Sequence, residues 1–130
     1  MAMVSFSLIR ITILLSAPHA VKKVRNEVTK GEDRLTGGIV EYLCEVFQVF
    51  GIVRTGNLRD DPSYYNGSDY KEAILEVIKE YGIVYLFDIH GCTNDHGFDI
   101  GIGTFYGKNI SHEIKEVEHI KNVLSKDFLV

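Results

Sequence analysis

The run Ile83-Val84-Tyr85-Leu86-Phe87 and the residues just after it constrain this chain most. The run is apolar, aromatic and β-branched, and it reads as a buried central strand. It leads directly into Asp88 and His90 and breaks at Gly91. Side chains alternate along a strand, so Asp88 and His90 leave the same face. A carboxylate at the end of a buried strand is costly unless it is paired or meets a cation. Such an Asp-x-His pair suits a metal ligand with an acid beside it. Hydrogen bonding to loop backbone is the plainer role for the same pair. The sequel favours the metal: polar Asn94, Asp95 and His96, then Phe98–Thr104 as a second strand-like run.

A strand of this kind needs partners, and the chain supplies them in order. Ser7–Ser16 reads as a first strand, and Pro18 ends its ladder. His19 then sits just past a strand end, as His90 does. In open α/β sheets, sites form at the carboxyl ends of strands. Val21–Gly31 is polar and basic and reads as a loop, either a solvated connection or a lid that meets an anionic substrate. Glu32 and Asp33 open a helix to about Phe50, with Leu35, Ile39, Leu43, Val46, Phe47 and Phe50 inward and Gly51 as its stop. First-turn acids suit the helix dipole, and they are also candidate metal ligands. Ile52–Arg54 is a short second strand.

Thr55–Gly67 has no apolar period and many turn formers, so it is a long loop. Long ordered loops in small domains are often functional. This one carries Asn57, Arg59, Asp60, Asp61, Tyr64 and Tyr65, side chains able to grip a polar substrate. Asp69 caps the next helix, which runs to Gly82 with Tyr70, Ala73, Ile74, Val77, Ile78 and Tyr81 buried. Ser111 caps a last helix, with Ile114, Val117, Ile120 and Leu124 inward, and Asp127–Val130 begins another strand. The order β-α-β-α-β-β-α predicts an α/β fold with helices on a mostly parallel sheet.

Composition narrows the function. The chain has 130 residues, 45% of them hydrophobic and 25% charged, which suits one domain over 1–130 with one modest core. The net charge of −4, with no Lys/Arg stripe, argues against a nucleic-acid partner. Two cysteines without CxxC spacing read as reduced thiols in a cytoplasmic protein. No run is long enough to span a bilayer, so no membrane partner is expected.

Several motifs together carry a resemblance. Ser16-Ala17-Pro18-His19-Ala20, Asp33 with Thr36-Gly37, Asp61-Pro62-Ser63-Tyr64, Tyr70-Lys71, Asp88-Ile89-His90-Gly91 and Asp99–Thr104 occur in the order of the N-formylglutamate amidohydrolase family. The resemblance covers about Ile13 to Val130. It implies a three-layer α/β/α domain with a mostly parallel mixed sheet, phosphorylase/hydrolase-like and akin to the zinc exopeptidases. It also implies a Zn2+ cofactor, with His19, Asp33 and His90 resembling the ligands and Glu32 the rival of Asp33. Two histidines and a carboxylate leave a tetrahedral zinc one open position.

The expected reaction is hydrolysis of an amide bond in a small N-acyl amino acid or peptide-like molecule. Arg54, Asn57, Arg59, Asp61 and Tyr64 are the expected substrate contacts. Arg54 or Arg59 stands in for an arginine that the family has where this chain has Ser63-Tyr64. Members of the family continue past the point where this chain ends, and the glutamate resembling a general base lies there. The chain is therefore expected to be a C-terminally truncated member, with Asp88 or Asp99 as replacement catalytic acids and weak or undetectable turnover. It is also expected to form a homodimer or higher homo-oligomer that covers the open flank of its sheet. The alternatives are a truncated non-catalytic metal- or ligand-binding homologue and another metallohydrolase, such as a phosphoesterase.

Overall fold

A computed structural model of the chain describes residues 12–56, 59–110 and 114–130, with the backbone alone at 114. The chain divides into two compact units, Met1–Gly91 and Cys92–Val130. The first is mixed α/β. Its strands β1 (Ile13–Ala17), β4 (Phe50–Val53) and β5 (Tyr85–Asp88) form a parallel sheet in the order β4-β1-β5. Strands β2 (Lys23–Arg25) and β3 (Val28–Lys30) form a separate antiparallel hairpin. Helices α1 (Thr36–Phe47) and α2 (Asp69–Tyr81) flank the parallel sheet.

Among the described residues, the expected central strand is an edge. Strand β1 lies between the other two, and four of its five residues are buried. Along β5 only alternate residues are covered, and Leu86 is exposed. Both runs are apolar, so local composition does not rank them; the pairing does. Of the expected first strand, residues 7–11 lie outside the described residues.

Alternation along β1 assigns the helices to opposite faces. Leu15 and Ala17 join Val40 of α1 in the core. Ser16, pointing the other way, meets the hydroxyl of Tyr70 in α2 at 2.9 Å. That hydroxyl also donates to the Ile52 carbonyl and accepts from the Ala17 amide, so it ties α2 to both β1 and β4. Burial pushes the Tyr70 phenol above its ordinary value.

Helix α1 starts later and ends earlier than the apolar pattern implies. Asp33 precedes it, in a turn where Thr36 donates its hydroxyl to the Asp33 carbonyl. The helix ends at Gln48 in a left-handed conformation, and Phe50 and Gly51 belong to β4. Gly51 is therefore no helix stop. A Cβ there would run into Cys44 Sγ and close on Val40, so the glycine lets α1 approach the strand. The buried stripe is Thr36 and Val40 with Leu43 and Cys44 half-buried; Leu35, Ile39, Val46 and Phe47 are exposed. The chain has more apolar residues in this helix than one face can hold, and the sheet selected the narrower set.

Two further expectations shift. Ser68, one residue before Asp69, caps α2 by accepting from the Lys71 amide, and Gly82 closes the helix in a left-handed conformation. Val21–Gly31 is a hairpin and not an irregular loop. Its turn residues Asn26 and Glu27 both have positive φ, 50° and 64°, the twist that two-residue hairpins require.

Among the described residues, the second unit holds a 3-10 turn, Asn94–His96, and helix α3 (Ile114–Leu124). Phe98–Thr104 is not a strand. The backbone amides of Asp99 and Ile100 donate to the Leu129 carbonyl, and Leu129 donates back to the Asp99 carboxylate. The expected strand at Asp127–Val130 is this fold-back instead. Val117, Ile120 and Leu124 are half-buried, whereas Ser111 and the Ile114 side chain lie outside what is described. Among the described residues, no helix is long and apolar enough to cross a membrane.

Candidate metal centre

The sheet register brings the carboxyl ends of its strands to one level. Ala17 pairs with Val53, and Ser16 with Asp88. The chain therefore leaves β1 toward His19 and β5 toward His90 at the same edge. Two backbone bonds complete the approach. The Ile89 amide donates to the Ser16 carbonyl at 2.7 Å, and the Asp33 amide donates to the His19 carbonyl at 2.8 Å. Gly91 passes so close to Asp33 that a Cβ on it would lie 3.2 Å from the Asp33 Cβ. The break after β5 is thus a close backbone approach to the acid.

Three candidate ligand atoms converge there. His19 Nδ1 lies 3.3 Å from Asp33 Oδ2, His90 Nδ1 lies 3.4 Å from the same oxygen, and the two ring nitrogens are 3.2 Å apart. Asp33 is the acid of the set, and Glu32 is exposed. His19 is buried and Asp33 partly buried, while the His90 side chain is 39% exposed, so one side opens to solvent.

The partners of each group fix its chemistry. Asp61 is fully buried behind His19, and its carboxylate can only accept, so His19 Nε2–H donates to Asp61 Oδ1 at 2.9 Å. In the neutral ring the Nδ1 lone pair then faces Asp33 and His90. Asp33 Oδ2 accepts from the Gly91 amide at 3.1 Å, and Oδ1 from Lys23 Nζ at 2.8 Å. Burial works to raise the Asp33 carboxyl, but Lys23 and the Gly91 N–H prevail and hold it below the ordinary range. Asp61 follows the same pattern: burial raises it, and the bonds from His19 and Arg25 bring it below normal. Both groups are therefore carboxylates at neutral pH.

Ring nitrogen lone pair, carboxylate oxygen and second imidazole thus crowd one point. A proton on His90 Nδ1 can serve one of its two acceptors; a cation serves all three donors at once. Zinc bonds of about 2.0–2.2 Å in tetrahedral geometry set donors about 3.3–3.6 Å apart, close to the 3.2–3.4 Å found here. The donor set fits a borderline cation such as zinc. Carboxylate–histidine–metal arrangements also orient the ring as Asp61 orients His19.

Comparison with protein-family models, with curated proteins and with solved structures finds no match for this chain.

The remaining expected site residues fall in several places. Asp61 backs His19 and also accepts from Arg25 Nε and Nη2 at 2.9 and 2.7 Å. Tyr64 is exposed, and the Arg25 guanidinium lies 4.7 Å from its ring centroid. Arg54 is buried, donates to the Gly56 and Asp60 carbonyls, and pairs with the Asp60 carboxylate. Arg59 is exposed in the following turn, and Asn57 lies outside the described residues. Asp88 is exposed at the end of β5. Asp99 lies in the second unit, where it accepts from the Leu129 amide.

Lys23 and Arg25 are the residues that sequence reasoning missed. The signal was present: in a strand, positions 23 and 25 share a face. Reading the segment as a loop hid it. The hairpin meets the segment after residue 58 through Val24 N–H to the Asp60 carbonyl and Asn26 N–H to the Tyr65 hydroxyl.

Proposed function

We propose that this chain binds a zinc-class cation through His19, Asp33 and His90 and is a metal-dependent hydrolase of amide bonds in small N-acyl amino acids or peptide-like molecules. The observation that carries the metal is the near-equal spacing of three candidate donor atoms, 3.2–3.4 Å. A cation held there supplies Lewis acidity toward a carbonyl and acidifies a water molecule. The reaction class rests on the ordered motifs that resemble the N-formylglutamate amidohydrolases and their zinc exopeptidase-like fold. A parallel sheet flanked by helices is compatible with that fold.

In this reading each chain group has a defined task. His19 and His90 bind through Nδ1, and Asp33 binds through Oδ2. Asp61 keeps the proton of His19 on Nε2, so that Nδ1 stays available. Asp88, exposed two residues before His90, is the acid assigned to proton transfer. The second reading is metal binding without turnover. It is favoured by Asp99, the other acid candidate, being held by the Leu129 amide.

Elemental analysis and a substrate panel test these readings. The expected result is one zinc per chain and hydrolysis of at least one N-acyl amino acid, lost in His90→Ala. Zinc without turnover selects the second reading. Turnover of phosphate esters alone would replace the amide by a phosphoester. No zinc at stoichiometric level would overturn the metal centre itself.

A further inference from the structure

The hairpin β2–β3 touches both acids of the metal centre through one face of one strand. Lys23 and Arg25 are two apart in β2 and leave the same side. Lys23 is buried, and its ammonium holds Asp33 Oδ1 at 2.8 Å. Arg25 grips Asp61 Oδ2 with two nitrogens, while Asp61 Oδ1 holds His19. The Asn26 amide is fastened to the Tyr65 hydroxyl, and the Val24 amide to the Asp60 carbonyl. The hairpin is thus pinned on both sides of Arg25.

Given the metal reading above, we propose that Lys23 and Arg25 are positioning residues for the cation: Lys23 keeps Asp33 a one-oxygen ligand, and Arg25 fixes the His19 ring through Asp61. A carboxylate with both oxygens free can take a metal through either one or both. With Oδ1 held by Lys23, only Oδ2 faces the histidines, so Asp33 would offer a bound cation one donor atom and leave a position for a further ligand. Arg25 acts at one remove. Its two nitrogens anchor Asp61 Oδ2 while the Ser63 amide holds Oδ1, and the carboxylate so held orients the His19 ring.

The sign of the effect separates positioning from bulk electrostatics. Lys23 and Arg25 are cations beside a cation site. If they acted only by charge, removing either would strengthen metal binding. Positioning requires the opposite, since loss of groups that orient ligands typically lowers metal affinity about 10–100-fold.

The test uses the full chain with zinc and with cobalt(II). Zinc affinity is measured by chelator competition for wild type, Lys23→Met, Arg25→Gln, Arg25→Lys and Lys22→Gln. Lys22 is exposed on the same segment and serves as the charge control. Circular dichroism of the metal-free proteins checks that each variant folds. The expected result is about tenfold or greater loss of affinity in Lys23→Met and Arg25→Gln, a smaller loss in Arg25→Lys, and none in Lys22→Gln. The cobalt spectrum of Lys23→Met should weaken in the visible, as a four-coordinate site gains a fifth donor. Unchanged or raised zinc affinity in Lys23→Met and Arg25→Gln, with wild type binding normally, overturns the inference and leaves the metal centre standing. If Arg25→Gln fails to fold, Arg25→Lys decides the Arg25 half: it keeps the charge and loses the paired contact, so full wild-type affinity overturns that half. Absence of zinc binding in wild type overturns the metal centre and this inference with it.

Discussion

Replacing Asp61 by asparagine tests the core of the site without changing its size. Four hydrogen bonds end on this carboxylate: one from His19 Nε2, two from Arg25 and one from the Ser63 amide at 3.0 Å. All four bonds come from N–H donors on three residues. Asparagine offers one acceptor oxygen and turns a donor NH2 toward the other side, where it meets either His19 Nε2–H or Arg25. Breaking a buried ion pair by removing one partner costs about 3–5 kcal/mol. Arg25 is 36% exposed, and water can take over part of its solvation, so the expected loss is lower, about 2–4 kcal/mol.

With a urea slope of about 1–2 kcal/mol/M, the unfolding midpoint should fall by at least ~1 M. The assay is urea unfolding of the metal-free protein by circular dichroism, at neutral pH and fixed salt. Asp88→Asn is the control. That carboxylate is exposed at a strand end, so its removal should stay within about 0.5 kcal/mol. A loss under about 1 kcal/mol in Asp61→Asn, with the slope unchanged, would refute the account of Asp61 as the buried anchor of His19 and Arg25.

Gly51→Ala should destabilise by about 1–3 kcal/mol through overpacking against Cys44, and adding Cys44→Ala should recover most of that in thermal melts. Tyr70→Phe should cost about 1–3 kcal/mol, because its hydroxyl serves Ser16, the Ala17 amide and the Ile52 carbonyl. The Tyr70 phenol is raised above its ordinary value, so its contribution is complete below pH about 10 and is lost as pH rises through the higher folded value; the alkaline limb of stability against pH should flatten in Tyr70→Phe. Zinc at a hundredfold excess over its Kd should add about 2.7 kcal/mol to stability, a chelator should remove it, and His90→Ala should show neither effect in differential scanning calorimetry.

What was legible in the sequence is what local rules govern. Apolar runs marked β1, β4 and β5, and the breaks at Pro18 and Gly91 marked where strands end. The rule that sites gather at carboxyl ends then pointed to His19 and His90, and their Nδ1 atoms stand 3.2 Å apart. Asp33 was reachable as a candidate ligand from its spacing to Thr36-Gly37, although its setting was misread as a helical first turn. It lies in the turn before Thr36.

What only the tertiary structure decided rests on contacts distant in sequence. Strand order is one case: β1 and β5 are both apolar, and only pairing with Phe50–Val53 made β1 central. The buried face of α1 is another, because its apolar residues exceed one face and the fit to Gly51 chose Val40 over Ile39 and Val46. The role of Asp61 is the third. Forty-two positions separate it from His19, and the motif that marked Asp61 implied a substrate contact, not a bond to His19. Asp61 is buried against His19 and Arg25, while Asp60 pairs with Arg54. A carboxylate takes its function from the donors that folding brings to it, and those donors are read only from the assembled hairpin, loop and sheet edge.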